Sequence, residues 1–510
     1  MNKGEDMNLK RNSLSAAIVL MFAAAALPAY AQSKKDFADM RAEIKKLREE
    51  LNDLKKAKQE APVAVAPAPV APVVAAPSAA AVTAAAAANA ELADRVEQVE
   101  LRAKDAVVGG DIAGSFRLPG SETSVRLYGF AELNLTHELK GDNGSCDYST
   151  CLVYAPLNGS SLTNRRNGTN LHARTSRIGI DASTPSSFGP ISVKIEGDFN
   201  NDPRTGNAAV NGDVKNIYTQ QVTNSYNFRL RQAYGQFGGL LIGQTWSTFQ
   251  DVDNSPETVD FNGPIGSTFL RQPVIRYAYA TKDQGTFTGA LENSVTYVYD
   301  NSGSGSPTKS GFSRIPDLVA RWDRSFDWGA ISLRGVTHQL LLKDSDANLS
   351  ASARGYGLGA SGLYKIGGDD FLTWAVTGGT GIGRYFNYVE GAVYDPGNNK
   401  ILKEKVLGLL VGYQHKTSPT LRYNASIGIQ RTYDNEYTAF ALNPANKLGV
   451  TDLGNFALNR QVWQSHWGFI WNPVKNVDFG AEYIYGQRKT LTGERGATSR
   501  FDFSGKYYFN

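Results

Sequence analysis

The chain predicts an all-β transmembrane fold, an antiparallel barrel of sixteen strands behind an N-terminal arm. Three observations predict it. From Ser124 onward apolar and polar residues alternate with period two, as strands with one apolar face require. The alternating runs are about ten to fifteen residues long, enough to cross a bilayer at a tilt. Their connections alternate between short and long, the asymmetry of barrels with short turns on one side and long loops on the other.

The first element is a secretory signal over 1–31. Lys10 and Arg11 precede the apolar run Leu14–Leu27, and Ala29-Tyr30-Ala31 is a small-x-small cleavage site. Gln32 is the expected mature start, and Met7 suits initiation better than Met1 because Glu5 and Asp6 dilute the basic n-region. Residues 32–60 carry a heptad. Phe37, Met40, Ile44, Leu47, Leu51 and Leu54 alternate at spacings of three and four, as the a and d positions of a coiled coil do. Glu43 and Glu50 then fall at g, and Arg48 and Lys55 at the following e positions, so parallel chains would pair them. At about 1.5 Å per residue the coil would be about 40 Å long. Residues 61–88 form an Ala/Pro/Val-rich linker, extended in its proline-rich half. Residues 89–108 return to a short helix, with Leu92, Val96, Val99 and Ala103 in register and Gly109-Gly110 as its stop. The arm reads as a periplasmic spacer, with the cell wall as a candidate anchor.

The barrel occupies 109–510, with strands near 124–138, 171–183, 189–200, 226–238, 240–247, 269–281, 287–300, 315–327, 329–342, 354–366, 371–385, 403–416, 420–434, 461–472, 476–488 and 498–509. Short connections include Gly238-Gly239, Asp327-Trp328-Gly329, Gly367-Gly368-Asp369 and Asn472-Pro473-Val474-Lys475. Long ones cover about 139–170, 201–225, 248–268, 301–314, 386–402 and 435–460. Trp463, Trp467, Phe469 and Trp471 share one face, as do Phe501, Phe503, Tyr507 and Phe509, in keeping with a lipid-facing wall and its aromatic girdles. Phe509 is penultimate rather than terminal, a small departure from the usual ending of such barrels.

Composition excludes several classes. A formal charge of +4 over 510 residues is too small to attract nucleic acid. Five His, two Cys and the absence of HExxH, GxSxG or Walker patterns leave no catalytic constellation, metal site or cofactor. Cys146 and Cys151 in GSCDYSTC suit a small loop-stapling disulfide in an oxidising compartment.

One connection stands apart. Residues Gly243–Tyr279 hold two strand-like pieces around a segment with Asp251, Asp253, Glu257 and Asp260, broken by Pro256, Gly263, Pro264 and Gly266. Arg229 and Arg231 precede it; Arg271 and Arg276 follow. An acidic loop facing arginines would set a transverse field across a narrow water channel, the constriction of a porin. Strand parity turns Arg126, Lys194, Arg229, Arg231 and Arg276 toward the lumen. Arg271 has the other parity unless Pro273 breaks the phase. Arg174 and Arg177 cannot both face inward, and lipid-facing Ile178 and Ile180 favour Arg177. For each arginine the plain alternative is a solvated lumen residue without a role in selectivity.

Four stretches carry a resemblance. GDIAGSFRLPGSETSVRLYG (Gly110–Gly129), SRIGIDASTPSSFGP (Ser176–Pro190), FRLRQAYGQF (Phe228–Phe237) and GQTWSTFQDVDNSPETVDFNGPIGSTFLRQP (Gly243–Pro273) are similar to segments of DcaP-like trimeric porins of Gram-negative bacteria. The resemblance implies an outer-membrane homotrimer with a periplasmic coiled coil, passing small anions such as dicarboxylates. Lipopolysaccharide and the outer-membrane assembly machinery are the implied partners. The family's acidic constriction would map onto Asp251, Asp253, Glu257 and Asp260, and its basic wall onto Arg229, Arg231 and their neighbours. A sugar-specific or general diffusion porin is the alternative in the same class. A structural tether acting through the coiled coil is the alternative in another.

Overall fold

The computed structural model describes residues 109–509 except 142–148, 188, 201–227, 300–307, 309, 345–348, 387–388, 390 and 447–457. The signal, coiled coil, linker, short helix and Cys146 lie outside the described residues.

Strands follow one another along the chain and pair with their neighbours. They are β1 (Phe116–Arg117), β2 (Ser124–Lys140), β3 (Gly168–His172), β4 (Arg177–Thr184), β5 (Ile191–Asp198), β6 (Arg229–Phe237) and β7 (Leu240–Trp246). There follow β8 (Arg271–Ala280), β9 (Thr286–Glu292), β10 (Asp317–Phe326), β11 (Gly329–Asp344), β12 (Leu349–Gly367) and β13 (Asp370–Thr380). A small hairpin, β14 (Ala392–Asp395) and β15 (Lys400–Lys403), sits in the next long loop. The wall resumes with β16 (Lys405–Ser418), β17 (Leu421–Tyr433), β18 (Asn459–Trp471), β19 (Val477–Thr490) and β20 (Arg495–Phe509). A single described α-helix, α1 (Glu436–Leu442), follows β17, capped by Asn435.

All wall pairings are antiparallel, and β20 pairs back onto β2, closing the sheet. Because β3 and β4 both pair with β2, one above the other, they are two halves of one barrel strand. The closed wall therefore has sixteen strands, and each predicted strand has its counterpart. The ends differ where local chemistry intervenes. The strand expected over 371–385 stops at Thr380 because Gly381 takes φ +69° and starts a turn into the 3-10 helix Gly383–Tyr385. The strand expected over 287–300 leaves the wall after Glu292.

Parity holds around the ring. Leu127, Ile178, Ile195, Leu230, Ile275, Leu333, Val411, Trp467 and Phe503 are exposed on the outer face. Their neighbours Arg126, Arg177, Glu196, Arg231, Arg276, Arg334 and Asp502 turn inward. An apolar exterior is stable only against hydrocarbon, and closure leaves no unpaired edge in it. The wall is uneven: β5, β6, β7 and β9 are 8, 9, 7 and 7 residues long, whereas β11 and β12 have 16 and 19.

On the long-loop side, connections pack into the interior against part of the wall. Phe249 lies against Tyr385, ring centroids 5.6 Å apart, in a cluster with Ile382, Phe386 and the wall residues Val319, Val336 and Val406. The hairpin β14–β15 packs on Leu340 and Leu342 through Ala392 and Ile401. α1 adds Tyr437 and Ala441 to a third cluster with Tyr299 and Leu458.

Candidate permeation pathway and constriction

The connection between β7 and β8 turns into the barrel because its backbone finds partners on the inner wall. Ser247 Oγ donates to Glu292 Oε2 at 2.6 Å, and Thr248 N to Glu292 Oε1 at 2.6 Å. Further on, Val259 N and Asp260 N donate to the two oxygens of Glu482 at 3.3 and 3.0 Å. Ile265 N meets Gln464 Oε1 at 3.3 Å, and Gly266 N meets Gln430 Oε1 at 3.1 Å. Four inward positions of the wall are glycines that leave room for the loop. A Cβ on Gly412 would lie 2.4 Å from Pro256, on Gly428 1.8 Å from the carbonyl oxygen of Ile265, on Gly480 2.7 Å from Val259, and on Gly408 2.6 Å from the oxygen of Gly266.

The four predicted loop acids are together on this segment but do different things. Asp251 is buried between Arg321 (3.4 Å) and Arg334 (3.5 Å) and accepts from Asn254 Nδ2 at 2.6 Å and from the Ser361 hydroxyl. Burial pushes its carboxyl up, but Arg321, Ser361, Asn254 and Arg334 outweigh burial and hold it below the usual carboxylate range. Glu257 is held in a fork by Arg422, Nε at 2.6 and Nη2 at 2.7 Å. Asp260 takes Arg500 and caps the backbone of Asn262 and Gly263 at 3.0 and 3.1 Å. Asp253 is exposed and is the one of the four that forms no ion pair among the described residues.

The acidic loop was expected to face Arg229 and Arg231 directly. Instead its contact with them is aromatic: the Phe261 ring lies 5.6 Å from the Arg229 guanidinium and 5.5 Å from that of Arg231. The carboxylates nearer those arginines are on the wall itself. Arg229 forks onto Asp198 at 2.9 Å, and Arg231 bridges Glu196 (2.6 Å) and Asp198 (2.9 Å). Arg177 lies 3.8 Å from Glu196. Below, Asp181 is shared by Arg126 and Lys194, with Lys194 at 3.5 Å. Tyr128 sits between the two levels, its hydroxyl donating to Glu196 at 3.0 Å while Arg126 and Lys194 lie over its ring.

So five of the predicted cations form one ladder on β2, β4, β5 and β6, against three carboxylates. Arg276 turns inward on β8 and has no hydrogen bond or ion pair among the described residues. Arg271 departs from the predicted set. The β7–β8 register runs unbroken through Pro273, so Arg271 keeps the outward parity of Pro273 and Ile275 and stacks on Trp246 at 3.6 Å. Arg174 lies in the bend between β3 and β4, not on a strand. Cys151 is disulfide-bonded and buried against Ile265 of the inward loop and Val462 of the wall.

Arg321, Arg334, Arg422, Arg500 and Glu482, which anchor the loop, were not among the predicted site residues. Parity alone would have turned each inward, since Leu333, Tyr423 and Phe501 beside them are outward. Which loop residue each one holds, up to 240 positions away, is not a periodic signal.

The family model of the DcaP outer membrane protein matches residues 117–509. The crystal structure of the outer membrane channel DcaP of Acinetobacter baumannii superposes with a TM-score of 0.61 at 24% identity, covering 79% of this chain and 100% of that one. OmpT of Vibrio cholerae (TM-score 0.45, 12% identity, 76% and 99% covered) and the anion-selective porin from Comamonas acidovorans (0.41, 12%, 76% and 100%) are more distant. No curated protein sequence matches the chain. With an unbroken family match across the whole closed wall and its inward-folded loop, the chain belongs to the DcaP outer membrane protein family.

Proposed function

We propose that the barrel is a passive channel biased toward small anionic solutes, dicarboxylates among them. The observation that carries this reading is the ladder: five lumen-facing cations meet three carboxylates, and Arg276 adds an unpaired charge on the same side. The loop acids that would otherwise cancel this surplus are tied to arginines of their own, Asp253 excepted. Arg126 and Lys194 are the ladder members best placed to meet a solute, with side chains 27% and 29% exposed, whereas Arg231 is 5% exposed and braces the wall. A carboxylate passing Arg126 finds a cation that already shares its partner, so contact is favourable without being tight. Weak contact is what flux needs, since a solute that sticks blocks the pore.

The test is reversal potential and dicarboxylate flux in Arg276→Gln and in Arg126→Gln with Lys194→Gln. Both should shift toward cations and slow dicarboxylates more than neutral sugars. The difference should shrink at high salt, because screening shortens the field to about 10 Å at about 0.1 M. Equal loss for sugars and dicarboxylates would favour the general-diffusion alternative. If the arm's deletion over 33–108 left envelope integrity impaired but conductance intact, the tether reading would gain a role beside transport.

A homotrimer is part of the same reading. A strand of seven residues rises about 23 Å, and tilted at about 40° it reaches about 18 Å. That is short of the apolar band of about 25 Å that a lipid-facing wall needs. The low side formed by β5, β6, β7 and β9 suits contact with protein rather than lipid, and its outer face carries Ile195, Leu230, Ile242 and Phe287.

A further inference from the structure

On the opposite, tall side of the barrel the outer rim carries cations that face neither the lumen nor a carboxylate. Arg431 on β17 is opposite Gln461 on β18, Gln461 is opposite Lys489 on β19, and Lys489 is opposite Arg495 on β20. Arg431, Lys489 and Arg495 are exposed. Their parity is that of the lipid-facing Ile427, Tyr483 and Phe501, so all three project from one cross-strand row of the outer wall. Lys405 on β16, also exposed, lies two residue pairs above the same row, opposite Tyr433.

None of these four forms an ion pair among the described residues. Among the described residues, the carboxylates nearby are already engaged. Asp434 is held by Arg460 at 2.5 Å, Glu436 by Lys400 at 2.7 Å, and Glu494 by the hydroxyls of Thr490 and Thr492. Like charges directly opposite on a sheet, as at Lys489 and Arg495, repel unless an anion lies between them.

Depth identifies the medium. From Leu421, which pairs with the girdle residue Trp471, to Arg431 is ten residues. At about 3.4 Å per residue and about 40° tilt the row stands about 26 Å above that girdle, at the far edge of the apolar band. Above it lies the long-loop side, which in an outer-membrane barrel faces outward. Next to the row the outer wall is hollow. Gly335 and Gly378 floor a groove of about 1300 Å3 bounded by Leu358, Leu407, Tyr433 and Lys405. Leu358, on its border, is 75% exposed.

We propose that this rim is a binding site for a phosphorylated glycolipid of the outer leaflet, lipopolysaccharide. Its phosphates bridge Arg431, Lys489 and Arg495, and an acyl chain lies in the groove headed by Lys405. Arginine can hold a phosphate with two parallel hydrogen bonds, and an anion there relieves the repulsion within the row. An apolar furrow ending in cations matches a molecule with acyl chains below and phosphates above. Inorganic phosphate and small carboxylates lack the acyl half of that pattern.

The experiment uses the full-length mature protein in detergent. Bisphosphorylated lipid A, its dephosphorylated form with the same acyl chains, and inorganic phosphate are titrated, with binding read by native mass spectrometry. Bisphosphorylated lipid A should bind at least tenfold more tightly than the dephosphorylated form, and inorganic phosphate should neither bind nor compete at matched concentration. Arg431→Gln, Lys489→Gln and Arg495→Gln combined should remove that tenfold preference while single-channel conductance stays unchanged, which also shows that the variant is folded. Equal binding of both lipids to the wild type, or an unchanged preference in the triple variant, overturns the proposal. Retained affinity for inorganic phosphate alone also overturns it, in favour of a simple anion site.

Discussion

Asp251 shows what a single side chain can hold in this molecule. Its carboxylate is 2% exposed, as is the side chain of Arg334 behind it, and Nε and Nη1 of that arginine have no hydrogen-bond acceptor among the described residues. Replacing Asp251 by Asn leaves a guanidinium buried and unpaired, which costs about 3 kcal/mol. The expected result is a lower unfolding midpoint in urea or on heating, together with a noisier open-channel current. An unchanged midpoint would mean that Arg334 finds another partner. The pH dependence follows from the direction of the shift. The folded pKa of Asp251 is depressed below the ordinary 3.8, so its contribution is complete above about pH 4 and fades only as pH falls through the lowered value. Channel noise that rises already between pH 6 and pH 5 would show that some other group titrates the loop.

At the scale of elements, the inward loop and the wall are made for each other. Gly428 carries no side chain where the carbonyl of Ile265 approaches. Gly428→Ala forces that backbone away from the wall and into the lumen. Overpacking of this kind costs about 1–3 kcal/mol, and single-channel conductance should fall. Conductance equal to the wild type would show that the loop yields without narrowing the path. Behind the constriction, Cys151, Leu152 and Val153 pack against Ile265 and Val462, and Arg488 donates to the carbonyls of Ala155 and Val153 at 2.7 Å each. Cys146→Ser should therefore leave the barrel folded and cost about 2 kcal/mol or less, because the closed loop is short. Its visible effect is a looser first loop, read as faster proteolysis there; free-thiol labelling of the unreduced wild type would show that the bond is not formed.

For the whole molecule, the uneven wall sets the expectation of assembly. Three copies meeting at their low sides would replace lipid with protein where the strands are shortest. Native mass spectrometry of the mature protein should give three chains, and Leu47→Cys in the arm should cross-link between chains under oxidation. Monomers that conduct normally would leave the low side to be covered by lipid thinning instead.

The sixteen strands, their turns and the inward parity of Arg126, Arg177, Lys194, Arg229, Arg231 and Arg276 were legible in the sequence, because alternation is local and a barrel applies it uniformly. The strand ends at Gly381 and Glu292 were not, since the chain leaves the wall there to follow contacts with other loops. Arg271 shows the limit of local inference in miniature: its own parity pointed outward, and only the unbroken pairing of β7 with β8 settles that Pro273 does not shift the phase. The sequence by itself determined the medium, the strand number and which residues face the water, all of which follow from period and composition. Only the tertiary structure decided which charges are spent on each other. Asp251, Glu257 and Asp260 read as an acidic face and are anchors, while Asp198 and Glu196 on the wall balance Arg229 and Arg231. The reason is that charge neutralisation depends on distance in space between strands far apart in the chain, and closing the barrel is what brings them together.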